Sequence, residues 1–404
     1  MTTTQPSQNH LIAPPGLKGV VVADTGTGDV RGEEGFYHFR EYSAVELALT
    51  HSFEDVCHLM LEGTLPTPEQ SAALQRTLAE AAVLPPELVE LLPTIARSGP
   101  DRAALARLRT AVSHLGALES FGPTYGTEPA QVRAQVLRLV GAVPVIQAAL
   151  HRLRMGREPL TARPELGAGG SWLWLVTGQE PGPAHQAAIG AYLTSTIDHG
   201  FSASTFASRV VTSAGSDVAS AVCAAIGTFA GPLHGGAPDR ALDSLDEIGR
   251  PERARDWVRS KVAAGDRIMG FGHPVYRTMD PRAAMLRDIA TNLGGPLAEL
   301  AVQVEQEVIQ ALAALKPGRE LHTNVEYYAG VVMEQCGLPR EMFTPTFATA
   351  RVVGWGAHIL EQSQDSKIFR PSARYVGPAV PAPVPTPESV SQSSSAIAPS
   401  GSTG

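Results

Sequence analysis

Cysteine is nearly absent from this chain. Cys57, Cys223 and Cys336 are the three in 404 residues, far apart and without CxxC or Cys/His spacing, so neither a disulfide framework nor a structural zinc site is expected. Charge is sparse too, at 18% of residues with a net of -8 and a pI near 5.9. That balance argues against a chain that grips nucleic acid through an excess of basic residues. Apolar runs such as Leu139 to Ile146 are short and interrupted by Pro144, so no membrane span is expected. The opening MTTTQPSQNHLIAPP has neither the basic segment nor the apolar run of a signal peptide, and a soluble cytoplasmic protein is expected.

Common catalytic motifs are missing as well. There is no GxxxxGK[ST] phosphate loop, HExxH zinc pair or GxSxG nucleophile elbow, and Gly26-Thr-Gly28 and Gly167-Ala-Gly-Gly170 do not complete GxGxxG. Hydrolase, nucleotide-dependent and dinucleotide-dependent chemistries therefore lose their usual signals.

What the chain does have is core and helix. Hydrophobic residues make up 43% of it, enough for a large interior and more than one domain. Ser43-Ala-Val-Glu46 and Thr67-Pro-Glu-Gln70 match capping boxes, and Asp280-Pro281 reads as an N-cap followed by Pro. Val210, Ala214, Val218, Val222 and Ile226 recur at a spacing of four, predicting one helix from Ser208 to Phe229 that stops at Gly231-Pro232. Leu297, Ala301, Val304, Val308 and Leu312 mark another. Strand signals are scarce, the best being Gly19 to Ala23, read as one arm of a short hairpin. The expected class is all-α. Residues 1–15 are polar, and the stretch from about Pro378 to Gly404 is Pro, Ala, Ser, Thr and Val. Both ends lack the apolar content to offset the entropy of ordering, so both are read as flexible.

Among 12 histidines, two stand in unusual company: His234 in Gly-Pro-Leu-His-Gly-Gly-Ala, and His273 in Gly-Phe-Gly-His-Pro-Val-Tyr-Arg. Glycine on either side lets backbone approach a ligand, and such a turn can present one ring nitrogen while the backbone fixes the other. Arg282, Arg351 and Arg370 form a second theme, because converging guanidinium groups suit a dicarboxylate or tricarboxylate. Arg351 stands out. It sits in an apolar helix near Trp355 and His358, where an unpaired charge is costly.

Taken in order, these segments resemble the citrate synthase family. Gly-Pro-Leu-His-Gly-Gly (231–236), Gly-Phe-Gly-His-Pro-Val-Tyr-Arg (270–277) with Asp-Pro-Arg (280–282), and Asn-Val-Glu-Tyr-Tyr-Ala-Gly (324–330) are similar to its three active-site blocks. Residues 343–355 and Arg370-Pro371 resemble its closing helix and tail, and the likeness runs from about residue 16 to 377. It implies an obligate helical homodimer with a large domain (16–234 plus 332–375) and a small domain (235–331), flanked by a flexible segment (1–15) and a tail (376–404).

The resemblance also implies a reaction, the entry step of the tricarboxylic acid cycle. Acetyl-CoA condenses with oxaloacetate, and citryl-CoA is hydrolysed to citrate and CoA, with no metal or other cofactor. Glu326 would take the methyl proton, His234 would donate to the thioester oxygen, and His273 would polarise the ketone. Thr196, His234, His273, Arg282, Arg351 and Arg370 would contact oxaloacetate or citrate, Arg370 reaching the partner subunit's site. Met269, Gly270, Phe271, Gly272, Arg277 and Asn324 would contact CoA.

Two positions depart from the family's commoner pattern. Glu326 stands where many members have Asp, and Thr196 stands where many have the first histidine of His-Ala-Asp-His. His199 matches the second histidine and is read as structural. The rival expectations are a relative that takes propionyl-CoA and makes 2-methylcitrate, and a catalytically weak paralogue with a binding or regulatory role.

Overall fold

The computed structural model describes residues 11–378 except Arg102, 235–237, Pro274, 319–320 and Ser366, and it leaves out the side chains of 238–241. Of the ends expected to be flexible, residues 1–10 and 379–404 lie outside the described residues. The chain divides into two compact units, Met1–Ile368 and Phe369–Gly404.

The helical expectation is met. Sixteen α-helices are present among the described residues, with one small antiparallel sheet of β1 (Gly28–Arg31), β2 (Phe36–Phe39) and β3 (Tyr42–Ser43) in that order. Gly28 pairs with Phe39 and Arg31 with Phe36, and the period-two pattern of β2 sends Tyr37 and Phe39 into the interior. The strand expected at Gly19 to Ala23 is not formed. Val20 and Val21 are exposed, so they lack the packing that stabilises a pleated segment.

Cap chemistry sets several helix starts. Thr67 and Gln70 form both halves of their capping box at 3.3 and 2.8 Å. The Ser43 hydroxyl accepts from the Glu46 N–H at 3.3 Å, and Asp280 Oδ1 accepts from the Arg282 N–H at 3.0 Å.

The single helix expected from Ser208 to Phe229 is two, Ala203–Ser213 and Val218–Phe229. Gly215 turns the chain with φ of 79°, and Asp217 caps the second helix through the Ser220 N–H at 2.8 Å. The apolar spacing stays in phase across this break, which is why it reads as continuous.

Pro144, which interrupts the apolar run in the sequence, lies inside a continuous helix, Pro129–Arg154, of 26 residues. By length and composition this helix could cross a membrane, yet 72% of its apolar window is buried within the fold. It therefore reads as a core helix.

Two cores hold the first unit together. One gathers Leu59, Val136, Ile146, Val222, Phe229 and Trp355; the other gathers Trp172, Tyr192, Leu286, Val308, Tyr328 and Val332. The Phe343–Ser363 helix serves both, giving Phe347, Val352 and Trp355 to the first and Phe343 and Ala350 to the second. A helix buried on all sides is apolar all round. Arg351 on this helix is therefore conspicuous.

Candidate active site

A cleft of about 790 Å³ brings together His199, His234, His273, Arg282, Glu326 and Arg351. These residues come from five separate segments, so their meeting is a product of the fold.

His234 follows the end of the Val218–Phe229 helix, its N–H closing a turn on the Gly231 carbonyl at 3.0 Å. Its ring packs edge-on against Phe229 at 5.2 Å between centroids. Nε2 accepts from the Ser204 main-chain N–H at 3.3 Å and lies 2.8 Å from the Ser204 hydroxyl. That hydroxyl in turn accepts from Trp355 Nε1–H at 3.1 Å. With Nε2 used as an acceptor, the proton of the neutral ring belongs on Nδ1. Burial, reinforced by the Arg351 charge, pushes the pKa down to about 4. The ring is therefore a neutral donor near pH 7.

His273 is held in the mirror-image way. Its Nδ1 accepts from the main-chain N–H groups of Val275 at 3.0 Å and Tyr276 at 3.1 Å, which leaves the proton on Nε2. Burial first, and then the Arg282 charge, lower its pKa to about 4. Both histidines can donate without becoming cations.

Glu326 is half-buried in the first turn of the Val325–Gln335 helix. Asn324 caps that helix, its Oδ1 accepting from the Glu326 N–H at 3.1 Å while its Nδ2 donates to the Gly272 carbonyl at 2.9 Å. Main-chain bonds from Asn324 N–H to the Gly270 carbonyl (2.9 Å) and from Gly272 N–H to the His322 carbonyl (2.8 Å) complete the join. The loop bearing His273 and the helix bearing Glu326 are thus stitched into one piece. Met269, Gly270, Phe271, Gly272 and Asn324 all line the cleft, but both ends of the Asn324 amide are already engaged in this joint.

The arginines differ in what they have left to offer. Arg282 is buried and paired bidentately with Asp280, Nε to Oδ1 at 3.0 Å and the terminal nitrogen to Oδ2 at 2.8 Å. Burial opposes its charge, but the Asp280 carboxylate outweighs this and raises its pKa. Asp280 Oδ2 also receives the Val325 N–H at 3.1 Å, so it ties the starts of two helices together. Arg351 donates from Nε to the Thr196 carbonyl at 2.9 Å and stacks over Phe347 at 4.7 Å. Among the described residues its terminal nitrogens have no hydrogen-bond partner, which leaves them for a ligand. Burial lowers its pKa to about 10, well above neutrality, with Asp198 acting in the opposite sense.

Thr196 requires a correction. It is absent from the cleft lining; its hydroxyl bonds back to the carbonyls of Tyr192 at 2.8 Å and Leu193 at 3.2 Å in its own helix. Its contribution is the carbonyl that holds Arg351. His199, read from the sequence as structural, does line the cleft, with its ring 5.6 Å from that of His273 and Nε2 3.0 Å from the Tyr276 hydroxyl. Burial, with Arg282, His273 and Arg351 nearby, holds its pKa well below the usual imidazole value. The Asp-His pair at 198–199 was the available signal.

Arg277 lines an adjoining cavity of about 810 Å³ that shares Gly272, His273 and Leu321 with the cleft. There it faces Glu33 at 3.8 Å, and both side chains are exposed. Arg370 is exposed and belongs to the second unit. Among the described residues no group of three or more His, Cys, Asp or Glu could hold a metal ion, and the three cysteines are free.

The sequence matches the family model described as citrate synthase, C-terminal domain, over residues 16–372. It is 35% identical over 373 residues to citrate synthase 2 of Bacillus subtilis, covering 91% of this chain and 97% of that one. It is 34% identical over 367 residues to citrate synthase of Synechocystis, covering 90% of each. Among solved structures, citrate synthase from Pyrobaculum aerophilum superposes with a TM-score of 0.81 at 33% identity, covering 95% of this chain and 99% of that one. The Thermoplasma acidophilum enzyme, solved as a ternary complex with carboxymethyl coenzyme A and oxaloacetate, gives 0.82 at 28% identity over 92% and 97%.

Proposed function

The chain belongs to the citrate synthase family, and on that premise we propose that its cleft joins the acetyl group of acetyl-CoA to oxaloacetate and releases citrate and CoA. It is an acyltransferase of the citrate synthase type. The observation that carries the assignment of roles is the pair of neutral imidazoles with fixed tautomers beside Glu326 and Arg351 in one cleft.

Glu326 removes a methyl proton from acetyl-CoA, and His234 Nδ1–H donates to the thioester oxygen as it gains charge. His273 Nε2–H polarises the oxaloacetate ketone. The enol carbon attacks that ketone, the new carbon–carbon bond gives citryl-CoA, and water then cleaves the thioester to citrate and the free CoA thiol. Arg351 holds a carboxylate, with the remaining terminal nitrogen of Arg282 and with His199 as a third polar contact. The Thermoplasma complex, with oxaloacetate and a CoA analogue bound together, supports this pairing of substrates.

Further parts of the reading rest on family likeness. They are a homodimer in which Arg370 enters the partner's site, a small domain of 235–331 that closes on the rest, Arg277 beside the CoA phosphates, and a cytoplasmic protein needing no metal or prosthetic group. The propionyl-CoA reading gains nothing from the relatives, which carry the name citrate synthase.

Thiol release from acetyl-CoA in the presence of oxaloacetate tests the activity, with propionyl-CoA as the comparison. Glu326→Gln is expected to lower kcat by roughly 10²–10⁴, the usual worth of a general base; an unchanged rate removes the base assignment.

A further inference from the structure

One residue touches both histidines on the keto-acid side of the cleft. The Tyr276 main-chain N–H donates to His273 Nδ1 at 3.1 Å, and the Tyr276 hydroxyl stands 3.0 Å from His199 Nε2. Its ring lies 4.7 Å from that of His273 and 5.5 Å from that of His199. Tyr37 also packs on His199, at 5.5 Å between centroids, but its hydroxyl is committed to the Ser195 carbonyl at 2.9 Å. Among the described residues, Tyr276 is thus the one hydrogen-bond partner of the His199 ring.

A neutral imidazole carries one N–H, and which nitrogen holds it is decided by what the other nitrogen meets. A main-chain N–H can only donate, so His273 Nδ1 is bare and Nε2 carries the proton. At His199 the partner is a phenol that burial keeps protonated. Directed into Nε2, the phenol O–H moves the ring proton to Nδ1. Both histidines then offer N–H groups to a dianionic keto acid, and neither offers a lone pair that would repel it.

We propose that Tyr276 is a positioning residue that sets the tautomers of His199 and His273 together, making the keto-acid site a field of donors. The proposal rests on reading this cleft as the oxaloacetate site.

The test uses the full-length enzyme labelled with ¹⁵N-histidine and saturated with oxaloacetate, His199 signals being assigned by their loss in His199→Gln. The wild type is expected to show protonated Nδ1 and bare Nε2 at His199. Tyr276→Phe keeps the ring and the main-chain N–H while deleting the hydroxyl. It is expected to give a mixture of tautomers at His199 and to leave His273 unchanged. KM for oxaloacetate should rise by up to about tenfold, the worth of the one His199 N–H donor that the keto acid then no longer meets ready-made, with kcat and KM for acetyl-CoA within about twofold. A wild-type His199 protonated on Nε2 overturns the proposal. So does a Tyr276→Phe enzyme with unaltered tautomer and KM, or one in which both KM values rise together without a tautomer change. If the wild type released no thiol, the catalytic reading would fail, while the tautomer spectra would still judge Tyr276.

Discussion

The hydroxyl of Ser204 lies 2.8 Å from His234 Nε2 while accepting the indole N–H of Trp355 at 3.1 Å. This puts a directed chain of hydrogen bonds, indole to hydroxyl to imidazole, behind the ring expected to stabilise the enol. Each link has one sense, because Trp can only donate and Nε2 already accepts the Ser204 main-chain N–H at 3.3 Å. The chain aims the remaining ring proton away from the core.

Ser204→Ala retains the main-chain N–H but removes the middle link and strands the buried Trp355 N–H. An unsatisfied buried donor costs about 1–3 kcal/mol, so the thermal midpoint should fall. With the orientation of His234 loosened, kcat should fall about tenfold while KM for oxaloacetate holds. A kcat equal to wild type would show that the main-chain contact suffices.

Acidification offers a second check. His234 and His273 are held at about 4 in the folded chain, against an ordinary value of 6.5, and His199 is lowered too. Between those values the unfolded chain binds protons at these rings that the folded chain does not. Stability therefore rises with pH from about 4 to 6.5, and this source contributes no slope above that. Thermal midpoints should drop as pH is lowered from 6.5 toward 4, and less steeply in His199→Gln. An equal slope in the variant would show that His199 is not titrating between these states.

Much of this site could be read before the fold was known, and the exceptions are instructive. His234, His273 and Glu326 stand in blocks whose glycines and cap residues define local geometry, so short-range chemistry carries them. Arg351 was legible because an apolar helix needs a reason to bury a charge. Thr196 misled because position in a motif says nothing about where a hydroxyl goes, and a Thr at a helix end readily bonds its own backbone. His199 and Tyr276 are 77 residues apart, Arg351 and Thr196 are 155 apart, and no periodicity reports such pairs. The Asp280–Arg282 pairing, by contrast, lay within three residues, but only the fold reveals that both side chains are buried.

Gly354 tests how tightly the 196–199 segment is docked. A Cβ there would stand 2.2 Å from the Ile197 carbonyl oxygen and 3.1 Å from the Asp198 side chain. The neighbour is backbone and cannot rotate away. Gly354→Ala should destabilise the protein by about 3 kcal/mol, at the upper end for overpacking. By pushing the segment off the helix it should also weaken the hold of Thr196 on Arg351 and raise KM for oxaloacetate. A variant with wild-type melting and KM would mean that the segment is free to shift.

The longer side chain of Glu326 can be judged by its own shortening. The start of its helix is anchored on three sides: by Asp280 to the Val325 N–H at 3.1 Å, by Asn324 Nδ2 to Gly272 at 2.9 Å, and by the Asn324 N–H to Gly270 at 2.9 Å. The backbone therefore has little freedom to advance when a methylene is removed. In Glu326→Asp the carboxylate withdraws by about 1 Å, a displacement that costs on the order of a hundredfold in rate. The expected result is kcat lowered by about that factor with KM for oxaloacetate unchanged, since the arginines and His199 are untouched. A faster Glu326→Asp enzyme would instead mean that the cleft suits the shorter acid and that glutamate is the compromise.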